Sequence, residues 1–462
     1  MAKFVFDMPA DCPPELRDPL REAWLTGAFD SVPVPTDRQS TARQLTLERT
    51  ENESSYVCAI LPLESGSRVV TSATLRSTPQ PYQPLVELAR GALNRVRQFV
   101  GVLASAGFEF PEEFTAQLRA VTKQFGQLVL GLASSPQAAE VIHHSTVLGD
   151  RCAELLTSYR LKTRTSAGPL TTKVGCRLSR ALPPAEQLLY TELFNAIRIV
   201  PDWSQIEAKE SVYQWGQLDA LVDWATANKL DISFGPLIDL TDGQFPAWFK
   251  GWRGDLPNLA AFASDFVGSV IQRYHDRVRM WHIFAGFNQA DTLGLGEDDR
   301  LRFAARLLET VQEMDPSSAR SFGIAQPWGE YLTNEELTYG PYVFADTLLR
   351  VGYQLHGLEL ELLSGGRGKR SQRPAPPRDA LDLVHQMELF DNLGLPLKVV
   401  LGYGAEQLAA TALAAPSLRG LYWDTWSEAD PCSRHPDQAL VNVLGDPTQH
   451  YHHLMQLRKS WC

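Results

Sequence analysis

Two short stretches carry most of the reactive side chains. The run FGIAQPWGEYL, Phe322 to Leu332, sets Trp328, Glu330 and Tyr331 on one turn. Large rings are costly to leave in water and a carboxylate is costly to bury. A helix start would explain the arrangement, with Glu330 near the positive end of the helix dipole. A sugar site would also explain it, the rings lying flat on a pyranose and the carboxylate meeting its hydroxyls or its glycosidic bond. The second stretch is Leu358-Glu359-Leu360-Glu361-Leu362. A strand sends alternate side chains to opposite faces, so leucines facing a helix layer leave Glu359 and Glu361 pointing into a barrel. There the two glutamates either join an ion-pair network with Arg198, Arg177 or Lys398, or Glu359 stays paired and Glu361 reaches the mouth.

Those residues need a frame, and the alternation of elements from about residue 170 supplies one. TKVGCRLS, FNAIRIV, LDISFGPLID, VRMWHIFAGF, ARSFGIAQ, LHGLELELL, PLKVVLGYG and GLYWDTWS read as strands. Helices such as WGQLDALVDWATANK and EDDRLRFAARLLETVQEM lie between them. Eight such units predict a closed (β/α)8 barrel over 170–462, with its functional face at the C-terminal ends of the strands. QPWGEY follows the fifth strand and falls on that face. Ahead of the barrel, KFVFDM, RQLTLERT, SSYVCAILPL and SRVVTSATLR predict a small β-sheet domain over 1–80. Apolar residues at three- and four-residue spacing predict a helical segment over 81–165.

Composition narrows the classes. The net charge of −11 argues against a general nucleic-acid binder. No apolar run reaches membrane-spanning length, and the start MAKFVFDMPADCPPEL lacks the apolar core of a signal peptide, so a cytoplasmic location is expected. The six cysteines form no CxxC pair. His143 and His144 are helix neighbours and point apart, and His450 and His453 read as exposed helix surface, so neither a metal nor a cofactor is expected. The stretch SGGRGKRSQRPAPPRD, basic loop 364–378 included, reads as a solvated loop or as a lid over an acidic glycan.

The barrel sequence resembles glycoside hydrolase family 10, the xylanase family. The resemblance rests on FNAIRIVPDWSQIEAKESVYQWGQLDALVDWATANKLDISFGPLI and on Gln244-Phe245-Pro246-Ala247-Trp248, which matches the family's Q-x-P-x-W. RVRMWHIF resembles its fourth strand, GYQLHGLELEL its sixth, LGLPLKVVL its seventh and GLYWDTWSEAD its eighth. The resemblance implies an O-glycosyl hydrolase acting on a polysaccharide, with a catalytic glutamate after strand four and another at the end of strand seven. Neither is found in register. Ala285 and Gly286 follow strand four, or Asn288-Gln289 if the register slips by three, and Leu401 stands at the nucleophile position. Asp202 replaces a lysine beside Trp203, and the third-strand histidine is replaced in FGPLIDL. Glu361 aligns with a sugar-binding glutamine, and Trp423 with a sugar-site tryptophan.

The two-carboxylate retaining mechanism therefore cannot run at its usual positions. Glu330 and Glu361, after strand five and on strand six, would bring their carboxyl groups within roughly 5–9 Å, which spans the retaining and inverting ranges. The expected site thus has Glu330 and Glu361 as catalytic groups. Trp328, Tyr331, Trp423, Trp426, Trp248, Asp202, Trp203 and Glu359 would contact a β-linked or acidic carbohydrate. Asp239, Glu406, Asp424, Glu428 and Asp430 are further rim carboxylates. A catalytically inactive carbohydrate binder, or a structural protein using the barrel as scaffold, are the alternatives. The oligomeric state is open.

Overall fold

The structure is a computed structural model. It describes residues 1–28, 31–64, 66–131, 134–166, 168–241, 244–289, 293–333, 337–363, 378–402, 405–430 and 435–459, without the side chains of 405–407. The chain divides into two compact units, one of Met1–Tyr159 with Trp328–Glu336 and Pro376–Leu383, the other of the remainder.

In the first unit, Ala2–Asp7 pairs antiparallel with Gln44–Arg49, which pairs with Asp37–Ser40. A second antiparallel sheet joins Trp24–Gly27, Ser55–Leu63 and Gly66–Thr71. The four expected strands are present, and Trp24–Gly27 and Asp37–Ser40 join them. Period-two burial puts Phe4 and Phe6 inside on the first strand. Helices Pro84–Ser105, Glu112–Val129 and Ser135–Thr165 follow. The expected β domain and helical segment share one hydrophobic core, in which Phe4, Leu47 and Leu61 pack with Leu88, Phe114 and Ile142.

The second unit holds the closed, parallel, eight-stranded barrel. Its strands in order are Lys173–Leu178, Ala196–Ile199, Asp231–Phe234, Met280–His282, Ala319–Ala325, Gly357–Leu362, Leu397–Leu401 and Leu418–Trp423. Each of the eight stretches read as a strand supplies one. Beyond the third and fourth strands, Ile238–Asp239 and Phe284–Ala285 pair again in parallel. The link between them is tight: a Cβ on Gly235, whose φ is +127°, would meet the His282 carbonyl oxygen at 1.8 Å. Helices follow the strands, among them Pro184–Leu193, Gly216–Ala227, Leu256–Tyr274, Glu297–Met314 and Pro341–Arg350. Among the described residues no helix is long and apolar enough to cross a membrane.

Candidate functional site

Strand six places its glutamates as the period-two reading requires. Glu359 and Glu361 are both buried, Glu361 at 1 % exposure. They meet one guanidinium from the opposite wall of the barrel. Arg198, on strand two, donates through one nitrogen to Glu359 Oε1 at 2.6 Å and to Glu361 Oε1 at 2.7 Å. His282 of strand four lies with Nε2 3.2 Å from Glu359 Oε1 and Nδ1 3.2 Å from Ser321 Oγ on strand five. Gly323 makes room for that ring, since a Cβ there would come 3.1 Å from Nε2. Lys398 of strand seven donates to Ser233 Oγ on strand three at 3.1 Å.

The electrostatics follow from burial opposed by pairing. Burial pushes the Glu359 carboxyl up, but the charges of Arg198 and Lys398 hold it below the usual carboxylate range. Burial pushes the His282 imidazole down to about 3 and the Lys398 ammonium down to about 8. The barrel core at neutral pH therefore holds a charged Glu359, a charged Arg198 and a neutral His282. His282, Glu359 and Glu361 offer ligand atoms within 4.8 Å of one another, a spacing that could gather a metal ion. The guanidinium already stands between the two carboxylates, however, and supplies the positive charge that such an ion would bring. The geometry is thus the ion-pair alternative of the sequence reading, with Arg198 as its cation. Glu361 is enclosed and not set at an open mouth.

The end of strand five departs from expectation. Gln326 has a φ of +46° and Gly329 a φ of +69°, so the chain bends sharply on either side of Pro327. Glu330 opens a 3-10 helix, Glu330–Thr333. Its Oε1 accepts from both Nε (3.2 Å) and Nη2 (2.9 Å) of Arg378, whose guanidinium lies 5.1 Å from the centre of the Trp328 ring. Trp328 and Tyr331 are buried. These four residues belong to the first compact unit, and Glu361 belongs to the second. Glu330 and Glu361 each meet an arginine, Arg378 and Arg198 respectively. The cause is charge: each carboxylate taken from water finds a guanidinium.

The tryptophans are mostly structural in their contacts. Trp203 stacks on Phe266 of helix Leu256–Tyr274, with centroids 4.6 Å apart, and donates its indole N–H to Glu207. Trp426 packs on Tyr190 and donates to Glu186 Oε2 at 2.7 Å. Trp423 lies beside Phe194. All three are buried between strands and helices. Trp248 is half-buried and donates to the Glu207 carbonyl at 2.9 Å. Asp202 caps the short helix Trp203–Ile206 and accepts from Ser204 Oγ. Asp239 accepts from the amide and hydroxyl of Thr241. Asp424 pairs with Arg177 at 3.1 Å, and Asp430 lies 3.9 Å from the same guanidinium. Leu401 is buried at 1 % exposure. The side chain of Glu406 and the stretch 364–377 lie outside the described residues.

Sequence reasoning assigned no role to Glu207, His282 or Asn288. Glu207 accepts from Trp203 Nε1 and from the Ser211 amide, and so holds the loop after strand two. His282 was legible by period two: Trp281 turns outward to Asp315, so its neighbour must turn inward. Asn288 exchanges two hydrogen bonds with the backbone of Ala325, at 2.8 and 3.1 Å, tying the loop after strand four to the end of strand five.

Residues 175–292 match the model of glycosyl hydrolase family 10. A curated relative, endo-1,4-beta-xylanase 3 from Hypocrea jecorina, is 28 % identical over 120 residues, which is 25 % of this chain and 34 % of the relative. The match thus spans about a third of that protein's length. Among solved structures, xylanase 10B from Thermotoga maritima aligns with a TM-score of 0.47 at 14 % identity, covering 66 % of this chain and 97 % of that one. Xylanase 10B from Thermotoga petrophila RKU-1, in complex with xylobiose, aligns at 0.48 and 12 % identity, covering 66 % and 96 %. The matched segment contains strands two to four and the greater part of strand one, so over its first half this barrel is glycosyl hydrolase family 10-like in sequence.

Proposed function

We propose that the protein is a glycoside-hydrolase-like barrel that binds a β-linked polysaccharide without cleaving it by the family's two-glutamate route. The family match over 175–292 supports a carbohydrate ligand. The observation that carries the rest is the environment of the inward carboxylates: Glu359 and Glu361 share Arg198 in a closed core, and Leu401 fills the end of strand seven. A general acid must hold a proton near neutral pH. Glu359, held in its charged form, cannot supply one. The half-buried acceptors Asp202, Asp239 and Gln244, with Trp248, follow strands two and three at the C-terminal face and suit sugar hydroxyls.

A second reading keeps O-glycosidic hydrolysis on carboxylates away from the family's positions, Glu330 and Glu361. It is favoured by Glu330 Oε2, which is buried and meets no donor among the described residues. Affinity electrophoresis in soluble β-1,4-xylan, run beside a reducing-end assay on the same polymer, separates the two. Retarded migration with no released ends is expected. Released ends that vanish in Glu361→Gln would establish the hydrolytic reading and refute the binding one.

A further inference from the structure

The loop after barrel strand three presents an aromatic surface that the barrel interior does not use. Trp252 is 39 % exposed, while Trp203, Trp281, Trp423 and Trp426 are buried. Its ring lies 5.5 Å from Phe262, and Phe262 lies 5.4 Å from Trp248. Trp248 in turn contacts buried Trp203 at 6.1 Å. The rings thus form a file leading from the interior to solvent, and Trp252 is its outer member.

The chain on either side of that outer ring is held in place. The Trp248 indole is tied to the Glu207 carbonyl in the loop after strand two. The Gly254 amide donates to the Leu293 carbonyl in the loop after strand four, at 2.8 Å. Arg253 lies so close to Gly294 that a Cβ there would meet its Nε at 2.9 Å. Asp255 caps helix Leu256–Tyr274, fixing the residues that follow Trp252. The helix begins at the C-terminal face of the barrel, where ligands of this fold bind. A large ring left partly in water beside this fixed chain suits a ligand with a flat apolar face and a polar edge.

We propose that Trp252, backed by Phe262, is a stacking platform for a neutral β-linked pyranose chain, an outer binding position on the barrel rim. The proposal rests on the carbohydrate reading of the barrel. A pyranose offers one face of C–H groups to the indole and keeps its hydroxyls in water. Neutrality fits the flanking Lys250, Arg253 and Asp255, whose mixed charges favour neither a polyanion nor a polycation.

The test uses the full chain and soluble β-1,4-xylan in affinity electrophoresis, with sedimentation for mass and thermal unfolding for integrity. Trp252→Ala is expected to weaken binding about five- to tenfold at an unchanged melting temperature, and Trp252→Phe to keep most of it. Equal binding by Trp252→Ala and the native chain overturns the platform and leaves the carbohydrate reading standing. No binding by the native chain overturns both. A fall in mass on Trp252→Ala would show that the ring faces a second copy of the chain, and would also overturn the platform.

Discussion

Replacing Arg198 by methionine tests the barrel core most directly. Methionine keeps the apolar stem of the side chain and removes the guanidinium with its charge. Two carboxylates that now lie 2.6 and 2.7 Å from the guanidinium nitrogen would lose their cation. Lys398 still acts on Glu359 through its charge, but its ammonium is bonded to Ser233 and leaves the guanidinium's two hydrogen bonds unreplaced. Stripping one partner from a buried pair costs about 3–5 kcal/mol, and two dependent carboxylates put the loss toward the upper end. For a domain of this size the melting temperature should fall by roughly 6–10 °C at neutral pH. The pH dependence is the sharper signature. In the native chain Glu359 titrates below its unfolded value and His282 at about 3 against an unfolded value near 6.5. Both groups then bind more protons when unfolded, so native stability falls as pH drops through the window from about 6.5 to about 3. In Arg198→Met the buried Glu359 carboxyl should titrate above its unfolded value, and its folded form should take up a proton on acidification. The gap between native and variant should therefore narrow as the pH is lowered from neutral, as read by differential scanning calorimetry. A gap under 1 kcal/mol, or one that does not change with pH, would refute the claim that Arg198 neutralises charged carboxylates in the core.

Two further substitutions address the family positions and the strand-five turn. Leu401→Glu should lose more than about 3 kcal/mol of stability and yield no reducing ends from xylan, because it buries a charge in an apolar place. A stable, active Leu401→Glu would mean that a catalytic pocket still surrounds this position. Glu330→Gln should cost about 1–2 kcal/mol, because the carboxylate accepts two N–H groups of Arg378. An unchanged melting temperature in thermal unfolding would show that the pair contributes nothing.

Much of the fold was legible in the chain itself. Alternation within LELEL specified which way Glu359 and Glu361 point, because a strand has only two faces and the leucines claim the outer one. The eight strand stretches were visible for the same reason, each a short apolar run followed by helical periodicity. The family likeness of the first half was also carried by local sequence, in the Q-x-P-x-W of Gln244 to Trp248 and the strands around it. What local sequence left undecided is which partner each polar group meets. Arg198 and Glu361 are 163 positions apart, and only closure of the barrel sets them against each other. Glu330 illustrates the limit best: the turn around it was readable from Pro327 and Gly329, but its partner Arg378 lies 48 positions away. Trp203, Trp423 and Trp426 were equally open, since an indole suits a sugar and a helix layer alike. Their burial was decided by Phe266 and Tyr190 on the helices between strands and by Phe194 just past a helix end. Side-chain direction is a local property of the strand, whereas the choice of partner depends on tertiary closure, and in this protein closure joins the inward carboxylates to Arg198.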